Sequence, residues 1–180
     1  MKISIYAMAI ETYVPILRSL SHVLDQGAEH ALAKKSDAAE LVSARLAPDM
    51  YTLAQQVQLA CDQARDATAR LSGKDAAQLE DIGKTLEELK ARIDKTLKYV
   101  ESIRPDAFDG AEDRKITIPI PENNIDFEMD GLQYLRDWAL PHFYFHTVTA
   151  YGILRHNGVN IGKIDYLNQV GKYIRPHKPA

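Results

Sequence analysis

Apolar residues recur at every third or fourth position through most of this chain, and that spacing restricts it to amphipathic helices packed side by side. In the first segment Tyr6, Ile10, Tyr13, Leu17, Leu20 and Leu24 form one stripe. Pro15 interrupts it. Proline has no N–H to give to the carbonyl of Glu11, so a kink is expected there rather than an end, because the stripe continues in phase. Gly27 and the run Lys34-Lys35-Ser36-Asp37 mark fraying and then a break. Asp37 with Glu40 reads as a capping pair for a short helix that stops before Pro48. A second long helix is expected to start at Asp49, with Met50, Leu53, Val57, Ala60 or Cys61, Ala64, Ala67 and Leu71 on its stripe and Gly73 at its end. The third, from about Asp75 to Ile103, carries Leu79, Ile82, Leu86, Leu89, Ile93, Leu97 and Val100.

After Pro105 the period falls to two. Ile116–Ile120 and Ile125–Met129 alternate apolar and polar residues around Pro121-Glu122-Asn123-Asn124, which predicts a β-hairpin with Pro119 confined to an edge. Asp130-Gly131 then open a fourth helix through Leu135, Trp138 or Ala139, His142, Phe145 or His146, Thr149 and Ile153, and Asn157-Gly158 stop it. The predicted fold is all-α: a four-helix bundle with a small β-hairpin between helices 3 and 4. Residues 1–167 form a single domain in this reading, with a tail at 168–180; a chain of 180 residues suits one core.

Charge and cysteine usage narrow the functional classes. The net charge of -3, with lysine and arginine spread along the chain, provides no basic face for nucleic acid or anionic lipid. Cys61 is the single cysteine, so no intrachain disulfide forms and a reducing compartment is expected. The first ten residues are only mildly apolar before Glu11 and read as mature structure. Trp138 to Leu154 lacks Asp, Glu, Lys and Arg, but its histidines and proline make it a poor membrane span. A cytoplasmic protein without nucleic-acid or membrane partners is the expectation.

The functional signal lies in Pro141-His142-Phe143-Tyr144-Phe145-His146. Residues four apart on a helix share a face, with Cβ atoms about 6 Å apart, close enough for two imidazoles to hold one ion or polar group. At roughly 100° per residue both rings fall on the apolar side with Leu135 and Ile153. Burying two imidazoles without partners costs about 1 to 3 kcal/mol each, so each needs one. A divalent metal ion (zinc, nickel or iron) is one candidate, since neutral imidazole ligates all three. A tyrosine hydroxyl (Tyr6, Tyr13 or Tyr51) or a buried water is another, and Trp138, Phe143 and Phe145 could line a small-ligand pocket. His156, ten residues past His146, lies about 15 Å along the helix and suits the C-terminal dipole instead. His22 is expected to be exposed, His30 to sit on a fraying end and His177 in the tail, while Cys61 reads as core.

The inward pair on the fourth helix, the order of elements and the run Arg45-Leu46-Ala47-Pro48-Asp49-Met50 before the second helix resemble the DinB-like superfamily of four-helix metalloproteins. The phrases Phe108-Asp109-Gly110-Ala111-Glu112-Asp113-Arg114 and Leu154-Arg155-His156-Asn157-Gly158-Val159 are similar to an uncharacterised branch of it, a domain of unknown function, over roughly residues 1 to 167. The resemblance implies a divalent metal held by one histidine of the second helix and two of the fourth, with thiol-dependent transferases and isomerases among characterised members. His142 and His146 match that pair, whereas the second helix has no histidine. Matching the apolar pattern puts Gln56 at the missing position, with Gln58 the second choice. Gln56 is then either a weak third ligand or a hydrogen-bond partner of His142 or His146, and Asp62 and Glu11 are the other candidate ligands. On this resemblance the chain is expected to be a metal-dependent enzyme of the thiol-transferase or hydrolase kind acting on an unknown small molecule. The alternative is a metal-free ligand-binding or structural protein with a vestigial site, and the resemblance also implies a homodimer.

Overall fold

The computed structural model describes residues 4–79 and 83–175. Helix α1 runs unbroken over Ile5–Lys34, passing through Pro15, and Ser4 caps its first turn by accepting from the Ala7 amide. Gly27 does not fray it. A Cβ at Gly27 would come to 3.2 Å from Leu154, so the small residue lets α1 lie close to the last long helix. The helix ends where Lys35 turns left-handed, and α2, Ala38–Ser43, comes next with Asp37 as its cap.

Two starts differ from the sequence expectation. Helix α3 spans Leu53–Ser72, opened by Thr52 rather than Asp49, because Thr52 and Gln55 satisfy each other's main-chain amides in a capping box. Gly73, in the left-handed conformation, closes it. Helix α4 spans Leu86–Ser102 and is opened by an equivalent box between Thr85 and Glu88. The expected helical turns from Asp75 onward are absent up to Leu79, and the Ile82 position lies outside the described residues. Strands β1, Ile116–Ile120, and β2, Ile125–Met129, pair antiparallel with Ile118 opposite Phe127. Asp130 caps the last rod, which comprises α5 (Gly131–Gln133), a π-helical stretch over Tyr134–Ala139 and α6 (Leu140–His156). Asn157 and Gly158 end it. Then come α7, Lys163–Tyr166, and a 3-10 segment at Asn168–Tyr173 that packs on α1, so the first part of the expected tail is tied to the bundle.

The four long elements form a ring in which α1 and α3 each pack against both α4 and α6. Leu17, Leu20 and Leu24 meet Val57, Ala60 and Ala64, Leu89 and Ile93, and Phe143 and Ile153 in one buried core. Each large side chain removed from water there contributes about 1.5 to 3 kcal/mol. The small residues of α3 bring its neighbours close, as their spacing predicts. Tyr13 is wholly buried against Phe143, and its hydroxyl has no hydrogen-bond partner among the described residues. No helix among the described residues is long and apolar enough to cross a membrane.

Candidate functional site

The site begins with the π-helical stretch. Its wide turns, in which the Leu140 amide reaches back to the Leu135 carbonyl, run directly into Pro141, which has no N–H to donate. One turn on, His142 uses its ring as a donor: Nδ1 lies 2.7 Å from the main-chain oxygen of Trp138. A carbonyl can only accept, so Nδ1 carries a hydrogen, and in the neutral ring the lone pair is on Nε2. His146 repeats the arrangement across the bundle, its Nδ1 lying 2.8 Å from Oε1 of Gln56 on α3. An amide oxygen also only accepts, which fixes the same tautomer. Gln56 is 1% exposed and His146 8%, so this is a bond in the interior, and it brings together two residues singled out from sequence.

Aromatic rings flank the pair. Trp138 packs at a tilt against His142, ring centroids 4.6 Å apart, and itself meets Phe127 of β2 at 5.1 Å. Phe145 presents an edge to His146 at 5.4 Å. Phe143, expected at the site, packs instead on Tyr13 of α1. The remaining candidate ligands are committed elsewhere. Asp62 pairs with Arg92 at 2.7 Å and Arg65 at 3.1 Å, and Glu11 lines a cleft beside α1. Among the described residues no group of three His, Cys, Asp or Glu side chains could hold a metal ion. Cys61 is core as expected; burial pushes its thiol up to about 12, against the opposing hydrogen bond from Thr96, so it is no nucleophile. His22 is only partly exposed and lies 3.5 Å from Asp165 of α7. His30 is held within α1 near Gly158, and His156 is exposed in the last turn of α6. His177 lies outside the described residues.

Burial lowers the His146 pKa from its ordinary 6.5 to about 4, with a further lowering from the neighbouring His142. The ring is therefore neutral at pH 7 and available as a ligand. A folded-state pKa below the unfolded one means that the unfolded chain takes up the proton first as pH falls. Stability is complete above about pH 6.5 and is lost progressively toward pH 4, by about 2 kcal/mol once solvent screening at the open edge of the ring is allowed for. Urea midpoints of chelator-treated protein at pH 7 and pH 5 should differ, and His146→Gln should shrink that difference. An unchanged pH dependence in the variant would count against a neutral buried His146.

The outer face of α6 carries Tyr144, Phe145 and Val148, which are 40%, 57% and 51% exposed, with Leu46 packed beside Gly152 at its end. No charged residue interrupts this face, since Trp138 to Leu154 contains none.

Comparison with known proteins fits this architecture. The family model described as a domain of unknown function, DUF1993, matches residues 5–167. The crystal structure of a DinB family member protein from Shewanella denitrificans, at 1.83 Å resolution, is similar to this chain with a TM-score of 0.83 and 37% identity, covering 97% of this chain and 95% of that one. No curated protein matches the chain. The chain belongs to the DUF1993 family and has the DinB-like fold.

Proposed function

For a DinB-like chain with these two imidazoles, we propose that His142 and His146 hold one divalent ion (zinc, nickel or iron) and that the protein is a metal-dependent enzyme of the thiol-transferase or hydrolase kind with an atypical site. The observation that supports this reading is the shared tautomer. Both rings give their Nδ1 hydrogen to a fixed oxygen, which is how ligating histidines are oriented and made more basic, and the nitrogen not used in those bonds is Nε2 in each. Gln56 then acts through His146, as a positioning residue in place of a third ligand, because its amide oxygen is engaged by the ring. Two imidazoles make a weak, open set that leaves coordination positions for solvent or substrate. The chemistry such an ion supplies is acidification of a coordinated water or thiol. The protein's own part is to keep His146 neutral and to flank the two rings with Trp138, Phe127 and Phe145.

Elemental analysis of protein grown with ample metal should find about one divalent ion per chain, lost in His142→Ala or His146→Ala. In Gln56→Leu the ion should remain but bind roughly 10- to 100-fold more weakly. Native protein devoid of metal would overturn the reading. That outcome would favour a metal-free ligand-binding protein, which the lack of a third strong donor among the described residues supports, and ligand-induced thermal shifts insensitive to chelator would identify it.

The reading includes a homodimer through the outer face of α6. Its exposed apolar surface is on the order of 400 Å² per chain, comparable with the apolar part of a standard interface of about 800 Å² per partner. Light scattering should give twice the chain mass, and Val148→Glu should halve it. A monomeric wild type would exclude the dimer without touching the metal site.

A further inference from the structure

A cleft of about 670 Å³ lies between α1, the end of α4 and the 3-10 segment and is lined by none of His142, His146 and Gln56. Its volume is within the range of small-ligand pockets. Tyr6, Ile10 and Val14 of α1 give it an apolar wall, and Pro15 lies beside them. Proline in a helix interior costs about 3 kcal/mol, and such breaches of local preference concentrate where a protein does something other than fold. Here the effect is chemical. Pro15 has no N–H to give to the main-chain carbonyl of Glu11, and both residues line the cleft, where the Glu11 carboxylate is a partner for a cation.

Arg18 and Glu101, also in the lining, pair with each other at 2.5 Å. The charges left to a ligand are Glu11 on α1 and Lys172 on the 3-10 segment, where the Lys172 ammonium also lies 5.0 Å from the ring centre of Tyr173. Asn168 and Gln169 add side-chain amides to the lining, the Gln169 oxygen accepting from Ser19 at 3.5 Å, and an amide is the complement of a peptide group. A carboxylate, an ammonium, side-chain amides and apolar side chains lining one cleft describe one class of ligand.

We propose that this cleft binds a short apolar peptide with free termini, its ammonium at Glu11 and its carboxylate at Lys172. Calorimetric titration of the full chain at pH 7 with the dipeptide Leu-Phe tests it against the N-acetylated and the C-amidated forms of the same dipeptide. The free dipeptide should bind, and each blocked form should bind about tenfold more weakly. Glu11→Gln should abolish the discrimination against the acetylated form, and Lys172→Gln that against the amide. Both positions are exposed, so the variants fold. Binding should be unchanged in the His142→Ala, His146→Ala double variant, which separates this site from the metal reading. Absence of binding at millimolar dipeptide, equal binding of the blocked forms, or discrimination that survives both substitutions would overturn the proposal.

Discussion

Gly131→Ala is expected to destabilise the protein by more than about 3 kcal/mol, although it adds a single methyl group. The Cβ would overlap the main-chain carbonyl oxygen of Ala111 and come to 3.3 Å from Leu71 of α3. A flexible side chain could swing away from such a contact, but a main-chain oxygen held in a 3-10 turn at Ala111–Asp113 cannot. Relief would require the start of the last rod to leave that turn, and the same rod carries Trp138, His142 and His146. Loss of stability should therefore come with loss of order at the histidines. Gly110→Ala provides the comparison: its φ of +67° also disfavours a side chain, but nothing lies within 4 Å of its Cβ, so only the left-handed penalty of about 1 to 2 kcal/mol applies. Urea denaturation of the two variants should separate them clearly. A Gly131→Ala protein within about 1 kcal/mol of wild type would mean that the turn yields more readily than its geometry indicates.

The bundle is legible in the sequence because its determinants are local and periodic. The hairpin strands, the Asp130 cap and the ends at Gly73 and Gly158 coincide with the signals that predict them. The two displaced starts are also encoded. Thr52-x-x-Gln55 and Thr85-x-x-Glu88 are capping boxes, and a box that satisfies two amides outranks a lone aspartate such as Asp49 or a run of helix formers after Asp75. The contact between Gln56 and His146 is a consequence of matching apolar stripes, since α3 and α6 must present facing positions to each other. Sequence does not disclose which side chains are already engaged. Asp62 looks like a free carboxylate on the ligand-bearing helix until Arg92, thirty residues away on α4, is placed beside it. Nor does spacing reveal that the main-chain oxygen of Trp138 would serve His142, because that depends on the π-helical turns ahead of Pro141.

The Asp62–Arg92 pair gives the other large effect, and it bears on the metal reading. Arg92 is 7% exposed, and the Asp62 carboxylate accepts from its Nη2 at 2.7 Å and forms an ion pair with Arg65 at 3.1 Å. Asp62→Ala takes the carboxylate at 2.7 Å from a buried guanidinium and should cost on the order of 2 kcal/mol, whereas replacing both partners by apolar residues, Asp62→Ala with Arg92→Met, should recover much of that loss. The asymmetry arises because an ion pair in the core adds little net stability while a single half of it is expensive. The folded fraction of Asp62→Ala should still take up divalent metal with the wild-type stoichiometry, because the carboxylate is held by two arginines rather than by the histidines. If metal uptake were lost while the double variant folded normally, Asp62 would be a ligand after all, and the site would have to be rebuilt around α3 and α4 instead of the imidazole pair of α6.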